Sequence, residues 1–271
     1  MPFHHQHILA DFIHEALNRV DNHDANPPLS FSGLKGQTKV SRTGLCFFSS
    51  KVTLVLTSPS EELVTDCLKG IFAQNRCTLG ELQLVPEQAA QEQPVTFDQP
   101  SAKFICISPM VLLGPQHEGQ LKRFVSPETD DFSDLLYEST MARMEASGRF
   151  SSEDIASFYK FQVVPDHQYL SKVRSEEKKF ARIYPVFPDG RKVEVRGYTM
   201  PFTLFAQPAV QQFVFECGLG EMTQRGFGML DLANSQPHKR ARPLMMPELV
   251  GMNGGAAAPR ASTYRTRRNV E

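Results

Sequence analysis

From residue 7 to 20 the apolar side chains Ile8, Leu9, Phe12, Ile13, Ala16, Leu17 and Val20 recur every three or four positions, with His7, Asp11, His14 and Asn18 opposite. That period predicts an amphipathic helix. Pro27 and Pro28 follow, and three runs rich in β-branched or aromatic residues, 29–32, 45–48 and 52–57, predict strands. Ser58-Pro-Ser-Glu61 predicts a second helix, with Ser58 as cap, proline at the first helical position and glutamate three residues after the cap. Its buried stripe is Leu63, Val64, Cys67, Leu68, Ile71 and Phe72, and residues 81–85 close the unit as a short strand.

Residues 86–100 are rich in Gln, Glu and Pro and carry little periodicity, as a connector would. Beyond them the pattern predicts a strand over 103–113 and a helix opened by Ser126-Pro127 with acids suited to its dipole, running to about residue 146. Strands over 161–164, 179–187 and 192–206, a helix over 209–216, a glycine-rich loop and a last strand over 226–232 follow. This order is the split βαβ arrangement of a ferredoxin-like domain. The first half repeats it without an opening strand, which leaves either an upstream start or a sheet one member short. The expected fold class is therefore α+β: two tandem ferredoxin-like (RRM-like) domains with antiparallel sheets, over 1–99 and 100–234, and a flexible basic C-terminal tail over 235–271.

Charge refines this picture. The net charge is −1, but residues 235–271 hold seven Lys or Arg against two Glu, which leaves the body mildly acidic. A nucleic-acid partner would need local patches, because counterion release follows the phosphates actually contacted. Two such patches exist. Between residues 25 and 60 stand Lys35, Lys39, Arg42 and Lys51 with no acid, and between 172 and 196 eight basic residues face four acids. Solvated loops and strand edges are the plain alternative for either patch. The five cysteines are odd in number and lack paired ligand spacing, which argues against a disulfide framework or structural zinc. No signal peptide and no run of eighteen apolar residues is present, so the expected location is the cytoplasm, with no membrane partner.

The most specific motif is Gly218-Leu-Gly220-Glu-Met-Thr-Gln-Arg225-Gly226-Phe-Gly228, set between a helix and a strand. Glycines permit positive φ and close backbone approach, so such a loop can present amides to phosphate oxygens or can simply make a tight turn. It lacks the Lys-Ser/Thr of a Walker loop and does not follow a strand as a dinucleotide fingerprint does. The loop closely resembles the C-terminal signature of the CRISPR-associated repeat-processing endoribonucleases, the Cas6 family of the RAMP superfamily. Phe104-Ile-Cys-Ile-Ser108-Pro109 looks like the family's strand ending in Ser-Pro, and Val125-Ser-Pro-Glu-Thr-Asp-Asp-Phe132 looks like its helix start. Lys178-Lys179 followed by Arg196-Gly197-Tyr198-Thr-Met-Pro201-Phe202, and Phe3 to Ile13 with Pro28-Leu-Ser-Phe-Ser32, are similar to further family segments in matching order.

The resemblance implies a metal-independent endoribonuclease that binds CRISPR repeat RNA and cuts the precursor with the ribose 2′-hydroxyl as nucleophile, with neither metal nor cofactor. Histidine suits the proton transfers, its pKa lying near neutrality. His23 is the first candidate, as the histidine in the stretch after the first helix, and His14 the second; a free loop histidine and an exposed helix histidine are the plain readings. His7, Asp11 and His14 share a helix face, yet such clusters without a further ligand seldom hold metal. Lys35 is the candidate for stabilising the pentacoordinate phosphate. Lys39, Arg42, Lys178, Lys179 and Arg225, with Gly218, Gly220, Gly226 and Gly228, are the candidate RNA-binding residues. Other CRISPR effector subunits are possible further partners, and a catalytically inactive repeat-RNA-binding subunit is the alternative. His4 and His5, at the start, are expected to be mobile.

Overall fold

A computed structural model describes residues 1–20, 28–42, 44–113, 125–187, 190–233 and 240–244, with the backbone of 264–266. The chain divides into two compact units, 1–94 together with the residues from 236 onward, and 95–235. The expected boundary at 99 moves back because Val95 and Phe97 pack into the second core, where the Phe97 ring lies 5.3 Å from that of Phe215.

The first unit opens with helix α1 (Gln6–Asn18), which buries Leu9, Ala10, Phe12, Ile13, Ala16 and Leu17 as its period requires. Strands β1 (Ser30–Phe31), β2 (Thr38–Val40), β3 (Leu45–Phe47) and β4 (Leu56–Thr57) follow, with β1 paired to β4 and β2 to β3, both antiparallel. Helix α2 (Glu61–Phe72) starts later than expected: Ser60, not Ser58, is its cap, accepting a bond from the Leu63 amide, while the Ser58 hydroxyl takes the Ser60 amide. A serine on each side of Pro59 permits either start, and the hydroxyl that reaches the third helical amide wins. The unit closes with the hairpin β5 (Cys77–Leu79) and β6 (Leu82–Leu84) and with β7 (Ala89–Glu92).

Among the described residues no strand precedes α1. Met1 makes a single rung there instead, its carbonyl accepting from Leu45 at 2.8 Å. His5 departs from the expected mobility: it is buried at the start of α1 with Nδ1 3.2 Å from the Pro2 carbonyl, and burial pulls its pKa below the usual histidine value.

The two helices cross at Gly70, where an added Cβ would sit 1.9 Å from the carbonyl oxygen of Ala16. Leu9, Ile13, Leu17, Cys67, Leu68 and Ile71 share one core around that crossing. Helix backbones approach this closely only when a small residue stands between them, and here the contact allows nothing larger than hydrogen.

The second unit comprises β8 (Ser101–Cys106), β9 (Met110–Val111), α3 (Asp130–Ala146), α4 (Ser152–Ser157), β10 (Phe161–Pro165), α5 (His167–Ser175), β11 (Ala181–Val186), β12 (Val193–Tyr198), β13 (Pro201–Ala206), α6 (Pro208–Cys217) and β14 (Leu230–Leu232). Its main sheet has the order β10-β13-β8-β14, all antiparallel, which is the ferredoxin-like order with the β11-β12 hairpin inserted between the second and third strands. Alternation along β8 and β13 sends Phe104, Cys106, Phe202, Leu204 and Ala206 into the core and leaves Lys103 and Phe205 outside.

Two expected long strands are each broken in two, 103–113 at 107–109 and 192–206 at 199–200. At the first break the chain leaves the main sheet for a second one of order β11-β12-β9, and at the second it returns from that sheet to the main one. Pro109 has no amide to continue a ladder, which explains the first break. The third helix begins at Asp130 with Thr129 as N-cap, while the Ser126 carbonyl closes a turn ahead of it by accepting from the Thr129 amide.

From the expected flexible tail, most residues lie outside those described. Residues 240–244 depart from that expectation: β15 (Ala241–Pro243) pairs antiparallel with β7, and Arg240 meets the buried Glu92 at 3.3 Å. The backbone of β16 (Tyr264–Thr266) lies parallel along β7. All five cysteines are free, and burial raises the Cys67 and Cys106 thiols to about 12. Among the described residues no helix is long and apolar enough to cross a membrane.

Gly70→Ala is expected to lower unfolding free energy by about 2 kcal/mol or more, because α1 and α2 must separate to admit the methyl. Chemical denaturation checks this; an unchanged midpoint would show that the crossing is not the constraint described.

Candidate nucleic-acid interface

Helix α6 is capped by Gln207 with Pro208 in its first turn and ends at Gly218, whose φ of 80° is left-handed. The chain then folds over itself. Leu219 donates to the Gly228 carbonyl at 2.9 Å, Glu221 to Val111 at 2.8 Å, and Gly228 to Pro109 at 2.8 Å. The broken strand at Ser108-Pro109 receives the far side of the loop, with the Ser108 hydroxyl accepting from the Met229 amide at 2.8 Å.

Glycine is required here for two separate reasons. Gly220 and Gly228 have φ of 86° and 69°, and a Cβ at either would fall 2.4 Å from the Val111 oxygen or 2.1 Å from the Leu219 oxygen. All four motif glycines are buried, and the amides of Gly226 and Gly228 are spent internally, on Thr223 within the loop and on Pro109 in the broken strand. These two glycines shape the backbone; they do not offer amides outward. What the loop presents at its surface is the rim of Glu221, Met222, Gln224 and Arg225, each partly exposed.

The group that gathers the loop was not among the sequence candidates. Arg143, near the end of α3, donates to the carbonyls of Cys217 at 2.6 Å, Gly218 at 3.0 Å and Gly220 at 3.0 Å, and to the Thr223 hydroxyl at 3.2 Å. Its guanidinium also stands 5.5 Å from the centre of the Phe213 ring. Burial lowers its pKa, and the charge of nearby Glu221 works against that shift. It remains cationic, because a guanidinium holds its proton even well below its ordinary value. The planar fork, with five donors in fixed directions, matches several carbonyls converging from one helix end. In sequence Arg143 is one cation within a charged helix, so nothing there separates it from a solvated residue.

The remaining candidates fall at several places. Lys178 and Lys179 are exposed just after α5, with the Lys178 ammonium 2.7 Å from Glu176, which raises its pKa. In the first unit Lys39 lies on β2 and Arg42 beyond it, both exposed, while half-buried Lys35 bridges to Thr53. His14 is half-buried on α1, and His23 lies outside the described residues. The structure thus unites Gly218, Gly220, Arg225, Gly226 and Gly228 in one loop and leaves the lysines on separate turns and strands. Among the described residues, no three His, Cys, Asp or Glu side chains converge as metal ligands do.

Replacing Arg143 with methionine strands its acceptors in the interior. Arg143→Met is expected to cost on the order of 3 kcal/mol in chemical denaturation, whereas Arg225→Met at the rim should change stability by about 0.5 kcal/mol or less. Equal effects for the two would contradict the clamp.

Residues 90–232, more than half of the chain, match the family described as CRISPR-associated protein Cas6, C-terminal. A curated relative, the CRISPR-associated endoribonuclease Cas6 1 of Methanocaldococcus jannaschii, is 22% identical over 241 residues, covering 85% of this chain and 86% of its own. Among solved structures, a Cas6-related protein from Pyrococcus furiosus superposes with a TM-score of 0.68 at 19% identity, covering 87% of this chain and 93% of that one. A RAMP protein described as binding different RNA substrates gives a TM-score of 0.66 at 21% identity, covering 86% and 93%. These likenesses show the tandem ferredoxin-like fold. With its C-terminal half matched from β7 through the glycine loop to β14, the chain belongs to the Cas6 family.

Proposed function

We propose that this chain is an endoribonuclease that binds CRISPR repeat RNA and cuts the precursor into guide RNAs. The observation that carries the reading is the family match over 90–232, which spans both the glycine loop and the Ser108-Pro109 break that receives it. The curated relative is itself named a CRISPR-associated endoribonuclease.

The proposed reaction needs no metal. A base takes the proton from the ribose 2′-hydroxyl, the new O2′–P bond forms, the P–O5′ bond breaks, and an acid protonates the leaving O5′. The products are a 2′,3′-cyclic phosphate and a 5′-hydroxyl. His23 or His14 supplies one of the two proton transfers, since imidazole can hold or release a proton near pH 7. Lys35 offsets the charge that builds on the pentacoordinate phosphorus.

The RNA is held through its backbone. Arg225 and the rim of the glycine loop take phosphate on the second unit, with Lys178 and Lys179 on the turn after α5. Lys39 and Arg42 do so on the first. Gly218, Gly220, Gly226 and Gly228 contribute by keeping the loop in its folded-over shape.

The test is end-labelled repeat RNA incubated with the full chain in EDTA, beside a substrate carrying 2′-deoxyribose at the cleaved position. Cutting that persists in EDTA and is abolished by the deoxy sugar is expected, with His23→Ala or His14→Ala slowing the step by about 10²–10⁴-fold. Cutting that requires magnesium and tolerates the deoxy sugar would contradict the mechanism. Repeat-specific binding without any cutting would leave an inactive binding subunit.

A further inference from the structure

The two most exposed aromatic rings of the described chain are Tyr159, 70% accessible, and Phe48, 65% accessible. A single exposed ring says little by itself, since folded proteins leave much apolar surface in water. Their surroundings separate them. Tyr159 lines an open cleft with Asp130 and Asp134, carboxylates that would repel a phosphate chain, and its ring already has the Lys160 ammonium 5.9 Å from its centre. Phe48 stands in the stretch from 25 to 60, which holds four cations and no acid.

The hairpin beneath Phe48 is well defined. Lys39 pairs with Cys46, and the Phe48 amide donates to the Gln37 carbonyl at 3.1 Å, so the ladder continues past β3. Gln37 in turn donates to the Ser49 hydroxyl at 3.1 Å, and that hydroxyl bonds to the Lys51 carbonyl at 2.8 Å. Alternation puts Gln37, Lys39, Cys46 and Phe48 on one face, and all of them are exposed. Half-buried Phe47, on the other face, packs against the core of the first unit and anchors the ribbon. Lys39 and Phe48 are diagonal neighbours across the pair, a spacing of roughly 7–8 Å between such positions. A base lying on the ring would therefore bring its phosphate within reach of the ammonium.

We propose that the outer face of the β2–β3 hairpin is a stacking platform for an unpaired nucleotide of RNA, with Phe48 under the base and Lys39 on the adjoining phosphate. The inference rests on the reading of the chain as an RNA-cutting protein and names where its single-stranded segment is held. Aromatic faces take unpaired bases of any sequence, while bases within a duplex are already stacked and unavailable. The platform therefore selects for unpaired RNA and is tolerant of sequence.

The chain contains no tryptophan, so Phe48→Trp provides a sole indole at the site. The measurement is titration of the full-length variant with a single-stranded RNA oligonucleotide, a duplex of the same sequence and the repeat RNA, alongside binding curves for Phe48→Ala and Lys39→Ala at several salt concentrations. Saturable quenching by single strands and not by duplex is expected. Phe48→Ala should bind single strands roughly 5- to 100-fold more weakly with an unchanged salt slope. Lys39→Ala should lower the slope of log affinity against log salt by about 0.7. Binding of Phe48→Ala within about twofold of the parent chain, absence of quenching, or failure of the parent chain to bind single strands would each overturn the platform. Repeat cleavage measured on the same samples keeps the two readings apart. Quenching without cleavage leaves the platform standing and removes the endonuclease, while cleavage with unaltered Phe48→Ala binding does the reverse.

Discussion

The glycine-rich loop depends on one buried cation. A helix end leaves carbonyls without partners, and a left-handed turn directly after α6 points those of Cys217, Gly218 and Gly220 towards one spot. Arg143 fills that spot from α3, so the two helices of the ferredoxin-like unit are joined through the loop that separates α6 from the last strand. Desolvating a guanidinium is costly, and several oriented oxygens offset that cost. With the loop held in this way, Gly220 and Gly228 pass so close to Val111 and Leu219 that no side chain fits. The burial of the glycines and the exposure of the rim at 221–225 follow from the same contact.

How far the molecule could be read beforehand depended on whether a feature was periodic or contextual. The apolar stripes of α1 and α2, the strand-helix order of the second half and the fold class were visible because burial imposes a period on the residues themselves. Helix starts were less certain where two cap residues compete, as Ser58 and Ser60 do on either side of a proline. The long apolar runs 103–113 and 192–206 concealed breaks, because a strand that changes sheets keeps its composition while losing its partners. Arg143 could not be singled out at all, since its meaning comes from carbonyls more than seventy residues away. The pairing of 241–243 with β7 was hidden for a similar reason: a short edge addition carries little pattern of its own.

The cations sort by what surrounds them. Arg143 is enclosed and acts on the protein's own backbone; Arg240 meets buried Glu92 on β7, the central strand of its sheet. Lys178 is exposed and shares its charge with Glu176, whereas Lys39 lies in a stretch without acids. Sequence alone singles out Lys39 and Lys178 but neither Arg143 nor Arg240. Burial and neighbouring carboxylates distinguish those that stabilise the fold from those free to meet phosphate, and that distinction supports assigning RNA contact to the loop rim and to the β2–β3 hairpin.

Amide hydrogen exchange of the full chain, alone and with repeat RNA, tests most directly whether the clamped loop offers its rim to RNA. The account predicts slow exchange at Leu219, Gly226 and Gly228 without RNA, because their amides are bonded to the carbonyls of Gly228, Thr223 and Pro109, and new protection across 222–225 when RNA binds. Fast exchange at those three amides in the free protein, or RNA binding that leaves 222–225 unchanged, would contradict it.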